Sequence, residues 1–182
     1  MVVGPLPNHH ELKQSVLDAI ADTEQESLVA VDEYYSDTIN KLDWAKAKDF
    51  TRPWVQLLKP SIDDYLNSLA LGLGYQRAIV EELWFQQYGT GNMHGWHTHG
   101  SNFTGVYYLE FDPSSPKTEI IEPGSQSRKI VPDITEGDIM IFPSFTIHRA
   151  PQITNDVRKT IVSFNIILDL INPALLEHIN RL

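Results

Sequence analysis

The sequence predicts a mainly β fold with flanking helices: an antiparallel jelly roll, or double-stranded β-helix, with N-terminal helices packed on one sheet. Three observations carry this expectation. The two stretches with clear helical periodicity both lie before residue 75. From residue 78 onward, short runs of β-branched and aromatic residues are separated by clusters of Gly, Pro, Asn and Ser. Helices and strands do not alternate as a parallel sheet would require.

The elements follow in order. Asn8 followed by Glu11 reads as a capping box, and Leu12, Val16, Ala19 and Ile20 recur at helical spacing, so a first helix should run from about 9 to the low twenties. The stretch Tyr34–Phe50 lacks a clean period and reads as irregular with short helical turns. Ile62, Tyr65, Leu66 and Leu69 form the stripe of a second helix, with Pro60 as its start and Gly72 and Gly74 as its end. The expected strands are Ile79–Tyr88, Phe103–Phe111, Thr118–Glu122, Arg128–Val131, Asp138–Phe142 and Lys159–Leu168. Asn172 and Pro173 open a short C-terminal helix. The expected organisation is one domain over 1–182: a helical part (1–75), a jelly-roll core holding the site (78–168) and the terminal helix (172–181).

Composition narrows the chemistry. The 182 residues include no cysteine, so a metal must be held by nitrogen and oxygen ligands, and no disulfide is possible. This suits a reducing cytoplasm. Met1 to Asn8 shows neither a basic start nor an apolar run, and no stretch of about 18 apolar residues occurs, which argues against secretion or membrane insertion. A net charge of −10 repels phosphate backbones, so nucleic acid is not the expected partner. The expected partner is a small-molecule, amino-acid or peptide substrate. The oligomeric state is open, a homodimer included.

The histidines are the sharpest feature. On extended backbone, residues i and i+2 face the same way, so His97 and His99 would converge on one point, with Thr98 turned away. That geometry suits two ligands of one metal. The alternative is a surface pair beside a loop. Gly137 to His148 reads as a turn, a buried strand, a proline-broken corner and then a histidine, which would deliver His148 as a third ligand at an open corner. Its plain alternative is a hydrogen-bonded core histidine. Arg158 lies ten residues later, with Thr160 two further on. Together they suit a clamp on a substrate carboxylate, although Arg158 could equally pair with Asp156 or Glu136 at the surface.

The order His-x-His, distal His, then Arg ten residues later followed by x-Thr resembles the iron(II)/2-oxoglutarate-dependent oxygenase superfamily. The run Gly105-Val106-Tyr107-Tyr108-Leu109, and the turn Gly137-Asp138 leading to Phe142-Pro143, resemble its small bacterial and phage subgroup, itself similar to prolyl hydroxylases. The resemblance spans roughly residues 80 to 168. It implies a dioxygenase that uses Fe(II), 2-oxoglutarate and O2 to oxidise its substrate, most simply by hydroxylation. It further implies metal ligation by His97, His99 and His148, and docking of the 2-oxoglutarate far carboxylate on Arg158 and Thr160, near the hydroxyls of Tyr88 and Tyr108. Both tyrosines also fit as core residues. His99 departs from the family pattern, which usually has a carboxylate there, and this leaves the native metal open, because nitrogen ligands also suit zinc, nickel and copper.

Two rivals stay on the table. Gly91 with His97-Thr98-His99, and Gly137 with Pro143 and His148, also resemble the two motifs of a metal cupin that uses no 2-oxoglutarate. The glutamate expected after the cupin His-x-His is absent, and a cupin has no use for Arg158 or Thr160. The other rival is a non-catalytic metal-binding module, but a structural site usually has four protein ligands, and three are apparent unless His94 joins them. His94, Trp96 and Arg149 lie beside the ligands in sequence and are expected to shape the substrate pocket.

Overall fold

The computed structural model describes residues 1–23, 26–31, 36–125 and 127–173; the expected C-terminal helix falls largely outside them. Two helices, α1 (His9–Ala21) and α2 (Pro53–Gly72), lie against a curled antiparallel sheet. Its strands are β1 (Val2–Pro5), β2 (Glu26–Val31), β3 (Ser36–Leu42), β4 (Tyr75–Tyr88), β5 (Met93–His97), β6 (Phe103–Phe111), β7 (Glu119–Ile121), β8 (Lys129–Ile130), β9 (Asp138–Pro143), β10 (His148–Ala150) and β11 (Lys159–Ile171). They pair in the order β1-β9-β6-β11-β4-β3-β5-β10-β7-β8, with β2 on β3. This is the expected double-stranded β-helix with helices on one face. No described helix is long and apolar enough to cross a membrane.

Several local expectations change. Asn8 makes no side-chain cap on α1; its amide instead donates to Ser61 Oγ at 2.6 Å, tying α1 to α2. Helix α2 starts at Pro53, and Pro60 sits inside it. An interior proline costs about 3 kcal/mol. Starting the helix earlier buries Trp54, Val55 and Leu58 completely, at roughly 1.5–3 kcal/mol each for the aliphatic side chains, which outweighs that cost. The segment expected to be irregular contains β3 and one 3-10 turn, Trp44–Lys46.

The central strands face two cores. Val162, Phe164 and Ile166 of β11, with Leu83 and Phe85 of β4 and Tyr107 of β6, point toward the helices. Tyr88, Val106, Tyr108, Met140, Phe142 and Ile161 point into the barrel. Phe164 lies directly across Gly105 of β6, where an added Cβ would come within 2.1 Å of its ring. Glycine at 105 therefore lets the aromatic ring close the outer core and fixes the parity of β11, which decides which of its side chains reach the interior.

Candidate active site

His97 ends β5 and His148 begins β10, and the two are direct cross-strand partners. His99 follows just beyond β5, its backbone N–H donating to Ser144 O at 2.9 Å. The ring centroids of His97 lie 4.2 Å from His148 and 5.1 Å from His99, with His99 and His148 5.2 Å apart. One nitrogen from each ring lies within 4.8 Å of the others, a spacing that a single ion can bridge.

Two rings are held in a defined tautomer. His97 Nδ1–H donates to Gly95 O at 2.8 Å, and His148 Nδ1–H donates to Thr146 O at 2.9 Å. This leaves Nε2 of each ring as the free lone pair, the arrangement found for metal-binding histidines. Burial, reinforced by the neighbouring imidazoles, pushes His148 down to about 3 and His99 to about 4, and burial also lowers His97. All three are thus neutral near pH 7. Three neutral nitrogen donors fit a borderline transition-metal dication and leave its other coordination positions to exogenous ligands.

Behind the triad, a narrow cleft is lined by Tyr88, Thr118, Ala150, Ile161 and Ser163. Deeper in the barrel lies Lys159, wholly buried, its Nζ donating to Pro116 O at 3.1 Å. The ammonium sits 5.8 Å from the centre of the Tyr88 ring and 5.9 Å from that of Tyr108. Tyr88 Oη is buried without a hydrogen-bond partner, while Tyr108 Oη bonds Thr118 Oγ1 at 2.7 Å. Burial lowers the Lys159 amine to about 7 and is the largest cause that raises both phenols. A buried amine close to an unpartnered tyrosine hydroxyl is a pairing suited to an anion.

Arg158 and Thr160 stand elsewhere. The Arg158 guanidinium makes a two-pronged contact with Glu110, both bonds 2.8 Å, and its side chain is 58% exposed. Thr160 donates to the same Glu110 and accepts from Gln87 Nε2. Both have the parity of Val162 and Phe164, on the helix side of the sheet. The two residues expected to clamp a carboxylate thus both bond Glu110, and the cation on the barrel side of β11 is Lys159, one position on. Ser163 and Asn165 share the parity of Lys159, opposite the apolar Val162, Phe164 and Ile166.

The expected pocket residues also have definite places. His94 stacks on His97 with centroids 3.8 Å apart, and its Nε2 lies 3.5 Å from Asp37 Oδ2. It belongs to the wall of a cavity of about 300 Å³ in front of the triad, together with Asp37, Trp44, Glu82 and Trp84. Arg149 borders the inner cleft, stacks over Trp96 at 4.6 Å and pairs with Glu119 at 2.7 Å. Trp84, which stacks on His99 with centroids 5.8 Å apart, escaped the sequence reading because it sits in a strand otherwise legible as core.

Residues 82–165, from the second half of β4 to the middle of β11, match the model of a family described as "Putative 2OG-Fe(II) oxygenase". No curated protein sequence matches the chain. Among solved structures, a 2OG-Fe(II) oxygenase family oxidoreductase from Burkholderia pseudomallei superposes with a TM-score of 0.71 at 14% identity, covering 93% of this chain and 86% of its own. A prolyl hydroxylase from Trichoplax adhaerens, solved with a hypoxia-inducible-factor peptide, gives 0.63 at 15% identity, covering 90% and 82%. The viral collagen prolyl hydroxylase of Paramecium bursaria Chlorella virus-1, in complex with 2OG, gives 0.57 at 14% identity, covering 91% and 94%. At these identities the superpositions speak for the fold, and the family match, over the sheet that holds the three histidines, makes residues 82–165 similar to the 2OG-Fe(II) oxygenases, a family of oxidoreductases.

Proposed function

We propose that this oxygenase hydroxylates a small molecule, amino acid or peptide, holding iron through His97, His99 and His148 and docking the far carboxylate of 2-oxoglutarate on Lys159. The observation that carries the reading is the pairing of two complementary sites in one barrel: three convergent neutral imidazoles, and behind them a buried amine beside an unpartnered tyrosine hydroxyl. When bound, iron and 2-oxoglutarate supply the oxidising chemistry: O2 is divided between the co-substrate, which leaves as succinate and carbon dioxide, and a substrate C–H bond, which becomes C–OH. The chain's own work is placement. Lys159 supplies a positive charge in a dry pocket and Tyr88 a hydroxyl donor, while Ile161, Ala150 and Val106 keep water from the cleft. Gly95 and Thr146 carbonyls hold two ligand rings in register. Iron-loaded protein in air is expected to release succinate from 2-oxoglutarate, with release lost on omission of iron. Absence of both binding and consumption of 2-oxoglutarate would overturn the proposal.

A pH signature follows from Lys159. Its folded pKa of about 7 lies below the ordinary lysine value of 10.5, so the unfolded chain binds more protons between these limits. Stability of the ligand-free protein from this group is therefore complete above about 10.5 and declines as pH falls toward 7. A carboxylate ligand needs the ammonium form. Calorimetry should then show proton uptake on 2-oxoglutarate binding at pH 8, and an affinity that falls up to about tenfold per pH unit above 7. An affinity flat from pH 7 to 9 would remove Lys159 from the role.

A further inference from the structure

The cavity in front of the triad has a character of its own. On β4 the side chains Glu82, Trp84, Gln86 and Tyr88 form one inward stripe, running from the mouth to the Lys159 end. At the mouth, Trp84 stacks on His99 and in turn lies 6.4 Å from the ring of Trp44. Trp44 is 58% exposed, an unusual position for so large an apolar ring. It is not loosely placed. The preceding Asp43 is buried and accepts from Arg52, from Trp54 Nε1 and from the Phe85 N–H, pinning the corner that carries Trp44 against β4 and α2. The ring is thus held on a rigid corner where a ligand can reach its face.

Charge on this wall has one sign. Its ionisable side chains other than histidine are Asp37 and Glu82, and no lysine or arginine lines it among the described residues. Glu82 Oε2 accepts from Asn165 Nδ2 at 2.6 Å, which aims the carboxylate. Its Oε1 has the ammonium of Lys48 at 3.6 Å, on a side chain 79% exposed. A cation already rests against this carboxylate, held only as loosely as exposed pairs are. Two indole faces beside an oriented carboxylate form the recognition site of an alkylated cation.

We propose that the substrate of this site carries an ammonium or guanidinium group, held between Trp44, Trp84 and Glu82, so that the carbon chain attached to it extends past His99 toward the metal centre. The inference rests on the oxygenase reading for the metal centre, while the cation site itself stands on Trp44, Trp84 and Glu82. Lys48 is the resident cation that such a group displaces. An anionic substrate would meet the like charge of Asp37 and Glu82, and a neutral one would leave the tryptophan faces without an electrostatic partner.

The test is calorimetry on the iron-loaded protein with 2-oxoglutarate under nitrogen, using n-butylammonium and n-butylguanidinium against n-butanol and pentanoate as probes of matched length. The cations are expected to bind at least about tenfold more tightly than either control. Glu82→Gln and Trp44→Ala should each weaken cation binding, the former by about tenfold or more. Lys48→Ala, at a site too exposed to threaten the fold, should tighten it. Equal binding of all four probes, no binding of either cation, or an unchanged affinity in both Glu82→Gln and Lys48→Ala would overturn the proposal. Titration of 2-oxoglutarate into the same wild-type preparation separates the two claims: 2-oxoglutarate without cation binding refutes the substrate class, and cation without 2-oxoglutarate binding refutes the oxygenase reading.

Discussion

His148→Ala is expected to lower iron affinity by more than about a hundredfold and to leave the purified protein without stoichiometric metal. Loss of an outer-shell partner of a metal ligand typically costs 10–100-fold; on the proposed assignment, His148→Ala removes a ligand itself from a set of three. The ring contributes its Nε2 from a buried position, and Thr146 O holds its orientation. Alanine keeps the β10 backbone pairing to β5 and β7, so the fold should survive with a small cavity beside Phe142. His97→Ala should behave alike. His99→Asp differs, because it exchanges one donor for another and should retain iron. Elemental analysis after equilibration with a chelator reads all three, and full occupancy in His148→Ala would remove it from the ligand set.

Lys159→Met is expected to weaken 2-oxoglutarate binding by roughly 30- to several-thousand-fold, the range corresponding to ~2–5 kcal/mol for losing one partner of a desolvated charge pair. Methionine fills most of the same volume without charge. Iron content should be unchanged, and resistance to urea should rise near pH 7, because the substitution removes an amine whose burial disfavours its charged form. The matching control is Arg158→Ala. Arg158 is already engaged by Glu110 on the helix side of the sheet, so its loss should change 2-oxoglutarate affinity less than about threefold, the scale of an exposed ion pair. The opposite ranking of these two variants would mean that β11 presents its other face to the barrel.

That ranking also marks where the sequence was legible. The triad was readable because His-x-His on extended backbone and a histidine after a core strand each have a local geometric meaning, and the two combine independently of the rest of the sheet. Strand β6 was readable to the residue, since Phe103–Phe111 is dense in aromatic and β-branched positions. The face of β11 was not readable locally. Arg158, Lys159 and Thr160 are adjacent polar residues, and which parity points inward depends on Phe164 lying over Gly105, a contact between strands far apart in sequence. Strands β5 and β10 were missed because Met93-His94-Gly95-Trp96-His97 and His148-Arg149-Ala150 lack strand-forming composition; their pairing to neighbours holds them extended. Pro60 misled as a helix start because the burial of Trp54, Val55 and Leu58 could not be weighed against one lost hydrogen bond without the tertiary partners.

The visible spectrum of the iron(II)-loaded protein under anaerobic conditions, recorded with and without 2-oxoglutarate, reads the central claim directly. If the triad and the Lys159 cleft together receive iron and its co-substrate, 2-oxoglutarate should bring up a weak visible charge-transfer band in the wild type and in Arg158→Ala. In Lys159→Met the same band should need far higher 2-oxoglutarate, and in His148→Ala it should be absent. An iron-loaded wild-type protein whose spectrum does not respond to 2-oxoglutarate at any concentration would contradict the account.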